Sequence, residues 1–294
     1  MSSHFTDRLH AAIQAKRTPL CVGLDPRWEM LPLSLRGSVP NTTAGHARAY
    51  ATFCQRVLDL VGERAPVVKP QSAFFEALGP AGMTALQQVI AYARKLGLLV
   101  ILDAKRGDIA STAEAYAQSA FETYDADALT INPYLGRDSV EPFLKMARKL
   151  GRGLYVLVRT SNPGAGQFQD LLCDGKPLHH HVASAVTAWT GENLGASGYG
   201  DVGAVVGATS RKELAELRHW LPDVPLLVPG YGVQGGTADD VHAAFDPHGL
   251  GAIVNSSRGI TFPYAPEDMG WEEAIIEATR HAAAELANVS GLAK

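Results

Sequence analysis

Cysteine, excess basic charge and long apolar runs are all scarce in this chain. Its three cysteines, Cys21, Cys54 and Cys173, stand in no C-x-x-C or other ligand spacing. That pattern argues against a structural metal or a disulfide framework and suits a reducing compartment. Lysine and arginine together number 26 against 30 acids, a net charge of −4. No basic stripe gathers anywhere, so a nucleic-acid partner held through its phosphates is not expected. No apolar run approaches the roughly 18 residues of a membrane span. Residues 6–13 carry the alternation of an amphipathic helix, not the apolar centre of a signal peptide. Low-complexity segments and internal repeats are missing as well. These absences predict a cytoplasmic protein with neither membrane nor nucleic acid as a partner.

Hydrophobic residues make up 46% of the chain, and they come in short bursts. Apolar runs fall near 20–25, 66–70, 98–103, 127–132, 154–159, 202–207, 225–229 and 251–255, with helical periodicity between them at 81–96, 112–124, 140–150 and 211–220. Near-continuous apolar strands alternating with helices predict an all-parallel sheet covered on both faces. Eight such units in 294 residues predict an α/β fold of the (β/α)8 TIM-barrel type, one domain over residues 1–294. Two connections are long, 26–48 and 161–182. Both follow strands, which puts them on the face where barrels hold their chemistry. A new helix is expected near Thr43, and residues 111–114 (Ser-Thr-Ala-Glu) read as a capped helix start.

Polar residues collect at the ends of these runs. Asp25 closes the first, Lys69 the second, and Asp103 with Lys105 the third, followed by Asp108. Two residues apart on a strand, Asp103 and Lys105 point to one side. Arg159-Thr160-Ser161 close the fifth run, and Asn255-Ser256-Ser257-Arg258 the eighth. A barrel brings all of them to one mouth. After the seventh run, residues 229–236 read Pro-Gly-Tyr-Gly-Val-Gln-Gly-Gly. Glycines there let backbone N–H groups approach an anion, and Arg258 adds a fork of charged donors, which together predict a phosphate site. The same segment spells G-x-G-x-x-G, but it opens the seventh unit and not the first, which disfavours a dinucleotide. His179-His180-His181 imitate a metal tract, yet adjacent histidines on a helix splay apart and read as a helix start. Asp239 and Asp240 read as first-turn acids favoured by the helix dipole.

With those motifs in place, the chain resembles the orotidine 5′-monophosphate decarboxylases along its whole length, most of all their longer bacterial subgroup. The resemblance rests on Asp103-x-Lys105-x-x-Asp108-Ile109, on Lys69, on Ser161-x-Pro163-Gly164, and on the 229–236 segment with Arg258. It implies conversion of a nucleotide, orotidine 5′-monophosphate, to uridine 5′-monophosphate with neither metal nor cofactor. Lys69, Asp103, Lys105 and Asp108 would then form an alternating array, with Lys105 stabilising and protonating a C6 carbanion. Asp108 and Thr112 would come from the other subunit of a homodimer. Asp25 and Lys69 would hold ribose hydroxyls, Ser161 the pyrimidine amide edge, Gln234 the base and phosphate, with Gly235 beside it in the substrate-binding set, and Arg258 the phosphate. Arg106 and Gly107 depart from the more apolar pair of the shorter subgroup. Mg2+-dependent sugar-phosphate decarboxylases and aldolases of the same barrel group share Asp-x-Lys-x-x-Asp, but need an acid where this chain has Lys69. A non-catalytic sensor of phosphate ligands would gain nothing from crowded like charges.

Overall fold

All eight apolar runs become strands, and the computed structural model closes them into one parallel barrel. The structure describes residues 4–207, 211–231 and 237–293. Strands β1 (Leu20–Leu24), β2 (Val67–Pro70), β3 (Leu99–Arg106), β4 (Ala128–Ile131) and β5 (Gly153–Arg159) follow one another around the ring. An antiparallel hairpin of β6 (Leu172–Cys173) and β7 (Lys176–Pro177) lies outside it. Then β8 (Val202–Val206), β9 (Leu226–Val228) and β10 (Ala252–Ser256) complete the circle, β10 pairing back to β1. Helices such as Thr43–Val61, Gly79–Lys95, Arg137–Leu150 and Arg211–Trp220 return the chain between strands. This is the predicted (β/α)8 topology.

Burial on both faces explains why the strands read as continuous apolar runs. Every residue of β1, β2, β4, β8, β9 and β10 is buried. The larger core lies between strands and helices, and a smaller one fills the barrel. Phe5, Leu9 and Ile13 of the first helix, Phe5–Lys16, join that inner cluster with Leu99, Ile101 and Tyr155. They plug the end of the barrel where the strands begin. Each such side chain contributes about 2 kcal/mol by leaving water. Gly153 makes room for the plug, since a Cβ there would lie 2.2 Å from Phe5 Cδ1. With that end closed, the opposite mouth is the one left for a ligand.

Both long connections are folded segments. Within 26–48, Trp28 stacks on His46 with ring centroids 3.7 Å apart. Thr42 caps the helix Thr43–Val61 by accepting from the Gly45 N–H at 3.1 Å. Within 161–182, a short helix Gly166–Gln169 precedes the hairpin, and His179–His181 open the helix Leu178–Gly191. The three imidazoles do not converge on one point, although the His179 and His180 rings meet edge to face at 4.6 Å instead of splaying fully apart. His179 Nδ1 meets Gln169 O, His181 Nε2 meets Cys173 O, and His180 packs on Trp220.

One local expectation fails. The helix after β3 begins at Ala110, capped by Ile109 without a side-chain bond, and not at the Ser111-Thr112 signal. Asp108 Oδ1 instead accepts from the Ile109 N–H at 2.8 Å, and Ala110 takes a positive φ of 45°. The chain has therefore turned before Ser111 can act as a cap. The helical extent matches the expected 112–124 stretch, although the last turn, Ser119–Thr123, widens from α into π geometry.

Candidate active site

Strand β3 ends irregularly, and that irregularity builds the centre of the mouth. Leu102 pairs with Leu129 of β4, but the next partners are Arg106 and Ile131, so β3 carries extra residues there. Lys105 lies within this bulge at φ 48°, a left-handed conformation that costs a non-glycine residue about 1–2 kcal/mol. Its ammonium turns back on Asp103, with Nζ 2.6 Å from Oδ1. Lys69, from the end of β2, donates to the other oxygen, Oδ2, at 2.7 Å. One buried carboxylate thus holds two ammonium groups, one on each oxygen.

Burial alone would raise the Asp103 pKa, but the Lys69 and then the Lys105 ammonium outweigh it and hold the acid below the usual carboxylate range. Lys69 shows the mirror effect. Burial would lower it, yet Asp103, then Asp25 and Cys21, raise it above an ordinary lysine. Lys69 and Asp103 are therefore charged at neutral pH. Thr130 of β4 completes the cluster, its Oγ1 donating to Asp103 Oδ1 at 2.9 Å.

Two adjoining cavities share Lys69, Asp103, Ser161 and Asn255 in their walls. The first adds Lys105 and Thr130 over an apolar floor of Leu157, Val205 and Leu227, a shape suited to a flat ring. The second adds Asp25, Arg27, Gln71, Tyr231 and Arg258 and is lined mainly by polar atoms. Gly23 of β1 has no side chain because Ser257 occupies that space, with Oγ 1.9 Å from where a Cβ would be. Asn255 accepts from Cys21 Sγ at 3.7 Å and donates to Ser257 Oγ at 3.3 Å, joining β1 to β10. The long connection after β5 is anchored at the same rim. Gln169 accepts from the Thr160 N–H at 2.9 Å and donates to Thr160 Oγ1 at 2.8 Å, fixing the residue before Ser161.

The sequence and the fold match those of known proteins. A family described as "Orotidine 5'-phosphate decarboxylase / HUMPS family" matches residues 18–268. An orotidine 5′-phosphate decarboxylase of Rhodopirellula baltica is 49% identical over 290 residues, 94% of this chain and 96% of that one. One from Haloarcula marismortui is 46% identical over 266 residues, covering 88% and 87%. The crystal structure of a putative orotidine-monophosphate-decarboxylase from Toxoplasma gondii superposes with a TM-score of 0.85 at 35% identity, covering 99% of this chain and 98% of that chain. The chain belongs to the orotidine 5′-phosphate decarboxylase / HUMPS family.

Of the residues expected to act in this family, Lys69, Asp103 and Lys105 converge, and Asp25, Ser161 and Arg258 line the same mouth. Asp108 and Thr112 line neither cavity. Asp108 bonds its own neighbour, and Thr112 is exposed on the first turn of the following helix. Gln234 and Gly235 lie outside the described residues. Thr130, Arg27 and Gln71 were not anticipated. A lone threonine suits any strand, and the signal it did offer was a polar residue inside the apolar run Ala128–Ile131.

Proposed function

We propose that the protein decarboxylates orotidine 5′-monophosphate to uridine 5′-monophosphate in pyrimidine synthesis, with Lys105 as the group that meets the reacting carbon. The observation that carries this reading is the Asp103 carboxylate held between two ammonium groups beside a cavity with an apolar floor. When the bond from C6 to the carboxylate breaks, CO2 departs and the electron pair stays on C6, with no adjacent π system to accept it. A fixed ammonium stabilises that pair and then transfers its proton to C6. At an effective dielectric of 20, one charge pair at 4 Å supplies about 4 kcal/mol. The largest enzymatic accelerations need around 20 kcal/mol. The remainder is assigned to binding energy from the phosphate, expressed through closure and desolvation of the site.

In this reading Asp25 and Lys69 hold ribose hydroxyls, and Ser161 reads the pyrimidine amide edge. Gln234 bridges base and phosphate, Gly235 beside it belongs to the substrate-binding set, and Arg258 clamps the phosphate. Their placement around one polar cavity supports the roles of Asp25, Lys69, Ser161 and Arg258. The Mg2+-dependent sugar-phosphate reading is disfavoured by Lys69, a buried cation that Asp103 keeps charged at the position where a metal would need an acid. Asp108 and Thr112 belong to the neighbouring subunit's site in a homodimer. Their distance from both cavities supports this, as do exposed Ile109, Tyr134 and Leu135 on the adjacent loops after β3 and β4. No helix among the described residues is long and apolar enough to cross a membrane, and the three cysteines are free. The whole chain is read as one barrel domain, placed in the cytoplasm.

The test follows loss of the orotate ring absorbance when the protein meets orotidine 5′-monophosphate with EDTA present. Rapid turnover abolished by Lys105→Ala is expected. Turnover that requires added Mg2+, or none with this substrate, would overturn the reading. Mixing Lys105→Ala with Asp108→Ala protein tests the shared site. Statistical mixed dimers should regain about a quarter of wild-type activity, and none after proven subunit exchange would refute it.

A further inference from the structure

Thr130 is the one buried polar side chain of β4, and it makes three hydrogen bonds to the catalytic end of β3. Its Oγ1 accepts from the backbone N–H of Ala104 at 3.0 Å and of Lys105 at 3.0 Å, and donates to Asp103 Oδ1 at 2.9 Å. A hydroxyl has two acceptor lone pairs and one proton. All three are used, so the direction of the proton is set: both lone pairs face the backbone, and the proton can go only to Asp103.

The two N–H groups matter because β3 has left its regular pairing with β4 at this point. Without Thr130 Oγ1 they would be donors lacking an acceptor at the root of the bulge. The bulge in turn gives Lys105 its left-handed backbone and directs Nζ to Asp103 Oδ1, the oxygen that also receives the Thr130 proton. One hydroxyl therefore fixes both the backbone from which the Lys105 ammonium departs and the carboxylate against which it rests. With its bonding capacity filled, it has nothing left to offer a ligand in the cavity it borders.

We infer that Thr130 is a positioning residue for the decarboxylation, acting through Lys105 and Asp103 and not by touching the substrate. The inference rests on the functional reading above, since it assigns Thr130 to the same reaction. Valine has the same shape and suits a strand, so Thr130→Val removes the hydroxyl while keeping the packing. Thr130→Ser keeps the hydroxyl and removes a methyl group. The two variants separate hydrogen bonding from volume.

The experiment measures kcat and KM for orotidine 5′-monophosphate, and the Kd of uridine 5′-monophosphate, for the wild type and both variants. Thr130→Val should lower kcat about a hundredfold, the scale of a small misplacement of a reacting group, while KM and product Kd stay near wild-type values. Thr130→Ser should recover most of kcat. Thr130→Cys, whose thiol is a weak donor and acceptor, should fall between them and serves in place of valine if that variant does not fold. A Thr130→Val enzyme with wild-type kcat would overturn the inference. So would equal losses in the valine and serine variants, or a loss confined to KM. A wild-type protein that leaves the substrate intact would overturn the functional reading itself, and this inference with it.

Discussion

The two halves of the barrel mouth are built in opposite ways. On the side of β2, β3 and β4, the polar groups are matched to one another. Asp103 holds a lysine on each oxygen, and Thr130 uses its whole bonding capacity. On the side of β1 and β10, polar groups are left over. Asp25 Oδ1 and Arg27 Nε are shielded from solvent with no hydrogen-bond partner among the described residues, and the Arg27 guanidinium rests over the Phe74 ring at 5.5 Å. Arg258 forms no ion pair among the described residues and faces the same cavity. A matched cluster is rigid and sets geometry before anything binds, whereas groups without protein partners are left able to bond a ligand. The first half is therefore suited to chemistry, and the second to recognition.

The sharpest way to break that division is to remove charge from the matched half. Lys105→Ala should lower kcat by about 10⁵-fold, combining lost electrostatic stabilisation with lost proton transfer. Binding of uridine 5′-monophosphate should weaken far less. A proportionate loss of binding would show that the two halves are not separable. Asp103→Asn should cost stability as well, since Lys69 would remain buried without its counter-ion, at about 3–5 kcal/mol. The folded pKa of Asp103 lies below its unfolded value of about 3.9, so its contribution is present above roughly pH 4 and is lost as pH falls through the folded value. The stability gap between wild type and Asp103→Asn, read by urea unfolding, should thus be constant at neutral pH and narrow in strong acid. A gap that widened in acid would contradict the assignment.

In the recognition half, Arg258→Ala should raise KM about 30-fold, equivalent to about 2 kcal/mol for a charged hydrogen bond, with a smaller change in kcat. Steady-state kinetics separates the two parameters. A fall in kcat with KM unchanged would move Arg258 into the chemical half.

Much of this organisation was legible in the amino-acid order. Central parallel strands are buried on both faces, so they announce themselves as apolar runs, and the charges that interrupt them mark the mouth. Asp103 and Lys105 were legible for that reason. The route by which they meet was not. A regular strand would have placed them side by side, whereas the contact depends on a bulge and a left-handed Lys105. Thr130 stayed hidden because threonine is an ordinary strand residue, and its value comes from a partner strand whose register no local pattern reveals. The start of the helix after β3 was misplaced for a related reason. The Ser111-Thr112 signal is a sound capping pattern, but the turn made by Asp108 and Ala110 precedes it.

The smallest expected effect tests whether the rigidity of the matched half comes from inside the barrel or from outside. Arg106, next to Lys105, pairs with Glu76 and lies over the Tyr116 ring at 5.2 Å. This pair could brace the same stretch of β3 from the helix side. Both of its partners are about a third exposed, so screening limits the pair to under about 1 kcal/mol. The Thr130 hydroxyl is buried, and it bonds the backbone of Lys105 itself. Glu76→Gln should therefore shift the unfolding midpoint only slightly and leave kcat within about twofold of wild type. A kcat loss matching that of Thr130→Val would place the control of Lys105 in the outer ion pair and dissolve the contrast between a self-contained half and a ligand-dependent one.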